Sequence, residues 1–177
     1  MATARPPVEL TVDQKAIVAV RKAMAAESDG KALRRDLLRD IRAAVAPAVP
    51  VLQAAVRALP DVSPAQNTPR LREAVAQQIK VGASLSGQNP GAKITVGTKR
   101  DPRGFRFAGR RLNNPRGWRH PVFGNPDAPW VVQYGSRGVR WFEPKIKDRA
   151  AEYRDAVRVA VDRLAERIAD KTTRGQQ

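Results

Sequence analysis

Two stretches of this chain repeat apolar residues every three or four positions, and a chain so patterned has to lay helices against a shared core. The first stripe is Leu33, Leu37, Ile41, Val45, Ala48, Leu52, Val56 and Leu59, with Lys31, Arg34, Arg35, Arg39 and Arg42 on its other face. Pro47 and Pro50 fall inside it. Each removes a helical N–H bond and crowds the preceding turn. The phase of the stripe carries across both, which predicts a bend rather than a stop, and Pro60 ends it. The second stripe is Phe142, Ile146, Ala150, Tyr153, Val157, Val161, Leu164 and Ile168. It predicts one amphipathic helix of roughly seven turns, with Leu164 and Ile168 buried. Its remaining faces carry eight basic and six acidic residues between positions 145 and 171, the pattern of a solvated surface with no binding role.

Shorter elements fill the rest. Residues 8–10 read as a strand, and Thr11-Val12-Asp13-Gln14 has the spacing of a capping box ahead of a helix that buries Ile17, Val20 and Met24 and is interrupted at Ser28-Asp29-Gly30. A loop over 61–67 leads to Thr68 as N-cap and Pro69 at the first helical position, then a short helix over 70–79. Residues 81–85 and 93–98 read as strands joined by the turn-rich 86–91, and 130–134 as a third strand. The expected fold is α+β: a small antiparallel or mixed sheet packed against long amphipathic helices, with a long basic loop. At 177 residues this is a single domain, with a helical part over 8–60, sheet and basic loop over 68–141, and the last helix over 142–171.

The basic loop is the least ordinary part. From Lys93 to Arg119 nine basic residues (Lys93, Lys99, Arg100, Arg103, Arg106, Arg110, Arg111, Arg116 and Arg119) face one acid, Asp101, which is +8 of the formal net +16. Phe105, Phe107 and Trp118 are interspersed. Arginines hold phosphates and aromatics stack on bases, which suits nucleic acid. Phe105 and Phe107 alternating around Arg106 also suit a half-buried strand. Arginine and alanine abundance points to an arginine-rich, high-GC genome, which supplies part of the charge without any binding role.

Other function classes are poorly served. There is no cysteine and one histidine, which removes disulfides, thiolate sites and multi-histidine metal sites, and no cofactor motif is present. His120 lies between Arg119 and Pro121, and no spacing to Ser136, Asp127 or Glu143 suggests a triad. The glycines are too scattered for a phosphate loop. Glu73 and Glu143 sit where a carboxylate supports a helix N-terminus. No run of about 18 apolar residues exists to span a membrane, and 1–10 lacks an apolar signal core, so the chain reads as a soluble protein made in the cytoplasm. Hydrophobic content of 42% is largely alanine and valine, with 5% aromatics. Such a thin core is commonly completed by neighbouring subunits.

One further reading comes from the order of short motifs. A "Leu-Arg" helix and paired strands are followed by Arg119-His120-Pro121-Val122-Phe123-Gly124-Asn125, by Trp130-Val131-Val132-Gln133, and by Trp141-Phe142-Glu143-Pro144 opening the last helix. From about Val8 to Ile168 this resembles the small head–tail joining proteins of long-tailed bacteriophages, the neck and tail-completion (tail-terminator-like) group in its actinobacteriophage form. The resemblance implies a non-enzymatic virion protein at the phage neck or top of the tail, made in the bacterial host cytoplasm. It implies a homo-oligomeric ring, a hexamer in preference to a dodecamer, around the DNA channel. The partners implied are head-completion or adaptor proteins and the tail tube protein, with non-specific contact to packaged double-stranded DNA. Arg119, His120, Phe123 and Trp130 would form the shared packing core, with Trp141 and Phe142 in the same motif. Lys99, Arg100, Arg103, Arg106, Arg110, Arg111, Arg116 and Arg119 would meet a neighbouring subunit or face the channel. The alternative is a non-specific DNA-binding accessory protein.

Overall fold

The computed structural model describes residues 9–11, 14–59, 68–87, 89–101, 106–121, 125, 127, 129–133 and 140–174. The capping box, the loop over 61–67, Arg103, Phe105 and Phe123 fall wholly or largely outside that set. The fold is α+β, and its elements divide between two compact units, each assembled from separated stretches of chain. Unit 1 takes residues 1–49, 81–95 and 148–177, and unit 2 takes 50–80 and 96–147.

Unit 1 is built on three helices. α1 (Gln14–Ala26) buries Ile17, Val20 and Met24, α2 (Gly30–Val45) buries Leu33, Leu37, Ile41 and Val45, and α7 (Ala150–Arg174) buries Tyr153, Val157, Val161, Leu164 and Ile168. The three pack on one another, and α7 also covers β1 (Glu9–Thr11). β1 runs antiparallel to β3 (Gly91–Val96), with Leu10 opposite Ala92. β2 (Ile79–Ser84) lies on the other side of β3, giving the order β1-β3-β2. The corner between α1 and α2 needs a glycine. A Cβ on Gly30 would sit 2.0 Å from the Met24 carbonyl oxygen, far inside contact distance.

The first stripe is buried from Leu33 to Leu59, but it belongs to two helices rather than one bent helix. α2 stops at Val45, a two-residue turn follows, and α3 (Ala48–Arg57) begins. The cause is Pro47, which has no N–H to continue the ladder. The flanking bonds shorten to the i−3 pattern, with Ala46 N–H donating to Ala43 at 3.3 Å and Val49 N–H to Ala46 at 3.0 Å. Pro50 falls in the first turn of α3, where a missing N–H costs nothing. The second stripe is also divided: α6 (Glu143–Lys147) and α7 are separated by a turn at Asp148-Arg149. No glycine or proline marks that break. It falls where the chain passes from unit 2 to unit 1.

Unit 2 contains most of α3, α4 (Thr68–Ala76), α5 (Ala108–Leu112), β4 (Trp118–Pro121), β5 (Trp130–Gln133) and α6. α4 ends three residues earlier than the sequence predicts, because Ile79 already belongs to β2. Gln53 donates to the Ala76 carbonyl at the end of α4 (3.2 Å). Arg57 forks onto Glu73 at 2.8 and 3.0 Å. That bond, with help from Gln77, holds the Glu73 carboxyl down at about 2. Glu73 is thus a cross-helix partner within α4, not a helix-start carboxylate. No described helix is long and apolar enough to cross a membrane.

Candidate functional site

The basic segment is not the featureless loop its sequence suggests. Three polar side chains tie its backbone down. The first is Gln78, buried to 3% exposure at the junction of α4 and β2. Its side-chain oxygen accepts the Arg100 N–H at 2.7 Å, and its amide nitrogen donates to Asp101 at 3.0 Å. Its backbone carbonyl accepts the Gly97 N–H at 2.9 Å. The second is Asp101, whose other oxygen accepts the Ala108 N–H at 3.1 Å. A carboxylate there satisfies a donor at the start of α5 that the helix itself cannot use. The one acid of the basic segment therefore ties the start of α5 to Gln78, with both of its oxygens engaged by N–H donors.

α5 lies close against its own unit. A Cβ on Gly109 would come within 2.6 Å of Val96 Cγ1, so only glycine permits this approach. Phe107, just before α5, has φ 62° and ψ 36°, a left-handed conformation that costs a non-glycine residue about 1 kcal/mol or more. It is 51% exposed, with the Arg106 guanidinium 5.5 Å from its ring centre. The alternation of Phe105 and Phe107 therefore does not describe a half-buried strand at Phe107.

The third tie is Asn113, directly after α5. Its side-chain oxygen accepts the N–H groups of Trp141 and Phe142 at 2.9 and 3.0 Å. Its amide donates to Glu143 at 2.7 Å, and Glu143 in turn accepts from Arg140 at 3.0 Å. Trp141 and Phe142 are buried edge-to-face, 5.4 Å between ring centres. An Asn114 turn then leads into β4. Arg116 N–H donates to the Asn114 side chain at 3.1 Å, and Gly117 N–H to the Asn114 carbonyl at 3.0 Å.

β4 and β5 form an antiparallel ribbon with Arg119 opposite Val132, His120 opposite Val131 and Pro121 opposite Trp130. Trp130 is 50% exposed, Val131 40% and Val132 47%. Trp130 and Val132 lie on one face and Val131 on the other, since successive residues of a strand alternate. This corrects the expected packing core. Arg119 and Trp130 are both exposed, as is Val132 on the same ribbon face. Trp141 and Phe142, expected to pack in the same motif, are buried. His120 contributes backbone pairing, and its side chain lies outside the described set.

Lys99, Arg100, Arg106, Arg110, Arg116 and Arg119 are exposed, and Arg111 is half-buried. Gln78 and Asp101 bring 99–101 against 107–108, and the Asn113 and Asn114 bonds carry the same tied backbone from α5 into β4. Sequence reasoning missed Gln78 and Asn113. Neither belongs to a spaced motif, and the solitary acid Asp101 was the nearest available signal. Among the described residues no group of three or more His, Asp or Glu could hold a metal ion. Comparison with protein-family models, with characterised proteins and with solved structures gives no match.

Proposed function

We propose that this chain is a non-enzymatic structural subunit that assembles into a ring at the neck or upper tail of a tailed bacteriophage, joining the head-completion complex to the tail tube around the DNA channel. The observation that carries the assembly reading is the β4–β5 ribbon, with three consecutive apolar residues exposed in β5. A two-stranded ribbon is marginal alone in water, and Trp130 and Val132, exposed side by side on one of its faces, suit a protein contact. A closed ring uses two different complementary surfaces per subunit, and the ribbon supplies one of them. The placement in a phage neck rests on the motif order from Arg119 to Pro144.

The test is assembly. Native mass spectrometry and electron micrographs of the purified protein, alone and within necks, should show a ring, sixfold by the resemblance. Replacing Trp130 with Ser and Val132 with Thr should reduce it to folded smaller species with unchanged circular dichroism. A wild-type chain that stays monomeric in both settings, or a ring indifferent to both substitutions, would sink this reading.

A further inference from the structure

Charge is divided unequally between the two units. Unit 2 carries sixteen basic residues against five acidic ones, a net of +11, whereas unit 1 carries seventeen against twelve, a net of +5. What matters further is where the acids of unit 2 go. Glu73 is taken by Arg57 and Gln77. Asp101 is spent on Gln78 and the Ala108 N–H, and Glu143 on Asn113 and Arg140. Asp61 lies outside the described residues, and Asp127 sits exposed in the ribbon's loop. None of the exposed side chains Lys99, Arg100, Arg106, Arg110, Arg116 and Arg119 has a carboxylate partner among the described residues. Their backbone, meanwhile, is pinned by Gln78, Asp101 and Asn114.

We infer that this ledge, residues 99–101 and 106–119, grips double-stranded DNA through its phosphates without reading base sequence. Duplex DNA offers one negative charge per about 1.7 Å of axis, so several exposed cations on a tied backbone meet phosphates in any register. Guanidinium groups hold phosphate oxygens in pairs. Base reading needs an element seated in a groove, and the five-residue α5 is packed against its own unit through Gly109. An anionic membrane suits the surface less well. A lipid-inserting element shows one apolar face, and the apolar residues of the neighbouring ribbon are divided over both. An acidic protein would need carboxylates spaced to match, which a uniform polyanion does not.

The inference rests on the ring reading for the source of the DNA, the duplex threaded through the assembly, but the contact itself is a property of the single chain. Fluorescence anisotropy with two labelled duplexes of unrelated sequence, each about 30 base pairs, over about 50 to 200 mM salt tests it. Arg106, Arg110, Arg116 and Arg119 are all changed to Gln in one variant. In a second, Lys31, Arg34, Arg35 and Arg42 of α2 are changed to Gln, removing the same charge from unit 1. The ledge variant should bind at least about thirtyfold more weakly and lose roughly three to four from its log–log salt slope, at about 0.9 per phosphate contact. The α2 variant should change less than about threefold, and the two duplexes should behave alike.

Equal losses from both variants would reduce the effect to net charge and overturn the proposal. So would no binding by the wild type, a clear preference between the duplexes, or tighter binding to phosphatidylserine vesicles than to DNA. Native mass spectrometry on the same samples separates the two readings. A ledge variant that loses DNA only because its oligomer falls apart overturns the ledge, whereas a wild type that binds DNA as a monomer keeps the ledge and removes the ring.

Discussion

The two units solve the same problem with different materials. In unit 1 the order comes from apolar repetition: α1, α2 and α7 each bury a stripe, and the charges stay outside in short-range pairs such as Arg39 with Asp36 (3.1 Å), Arg149 with Glu152 (2.6 Å) and Arg158 with Asp155 (3.3 Å). Lys171 of α7 reaches Asp29 in the same spirit. Such exposed pairs contribute little individually, so unit 1 stands on its core. In unit 2 the segment from Val96 to Phe142 has no repeat to bury. Gln78, Asp101 and Asn113 hold it by bonding backbone N–H groups that its helices and strands leave open. Asp101 and Glu143 therefore serve as internal clamps, while Lys99, Arg100, Arg106, Arg110, Arg116 and Arg119 are exposed.

Three substitutions sharpen or break that contrast. The largest effect is expected in unit 1. Leu37 is 1% exposed, and Leu37→Ala should cost about 2–5 kcal/mol, read from denaturant midpoints. An unchanged midpoint would mean the stripe does not carry the unit. Asn113→Ala comes next. It strands the buried N–H groups of Trp141 and Phe142 and one oxygen of Glu143, a loss of about 2 kcal/mol. Hydrogen exchange should quicken around 113 and 141–143 while α7 amides keep their protection. Uniform quickening across both units would erase the distinction drawn between them.

The smallest effect concerns pH. The Arg57 guanidinium, then Gln77, hold Glu73 at about 2, below the ordinary glutamate value of 4.5. A depressed carboxyl favours the folded state above the unfolded pKa, and that advantage fades as pH falls from about 4.5 through about 2. Thermal midpoints of wild type and Glu73→Gln should therefore differ most above about pH 5 and converge near pH 2. A difference that does not change over that window would show that the Arg57 fork does not tune Glu73.

What was legible in the sequence follows the same division. The stripes from Leu33 to Leu59 and from Phe142 to Ile168 could be read directly, because a 3.6-residue period has one low-energy solution, a helix with its apolar side buried. The α+β class and the approximate places of β1, β2, β3 and β5 were readable for the same reason, through alternation and turn residues. The breaks at Pro47 and at Asp148-Arg149 were less so. The phase of a stripe survives a two-residue turn, and at the second site no glycine or proline announces it.

The basic segment itself belonged to tertiary structure. Composition alone determined that it is cationic and irregular. Only the folded chain decided that Asp101 would bond to Gln78 and Ala108, that α5 would form just after Phe107, and that Trp130 would stay outside while Trp141 was packed. The tie at Asp101 rests on Gln78 reaching Arg100 and Asp101 across 22 and 23 residues, and the seat of Trp141 on Asn113 reaching Trp141 and Phe142 across 28 and 29. A hydrogen bond between distant residues leaves no period in the sequence: its donor and acceptor are common side-chain and backbone groups, and what selects them is the position at which the rest of the fold sets them down.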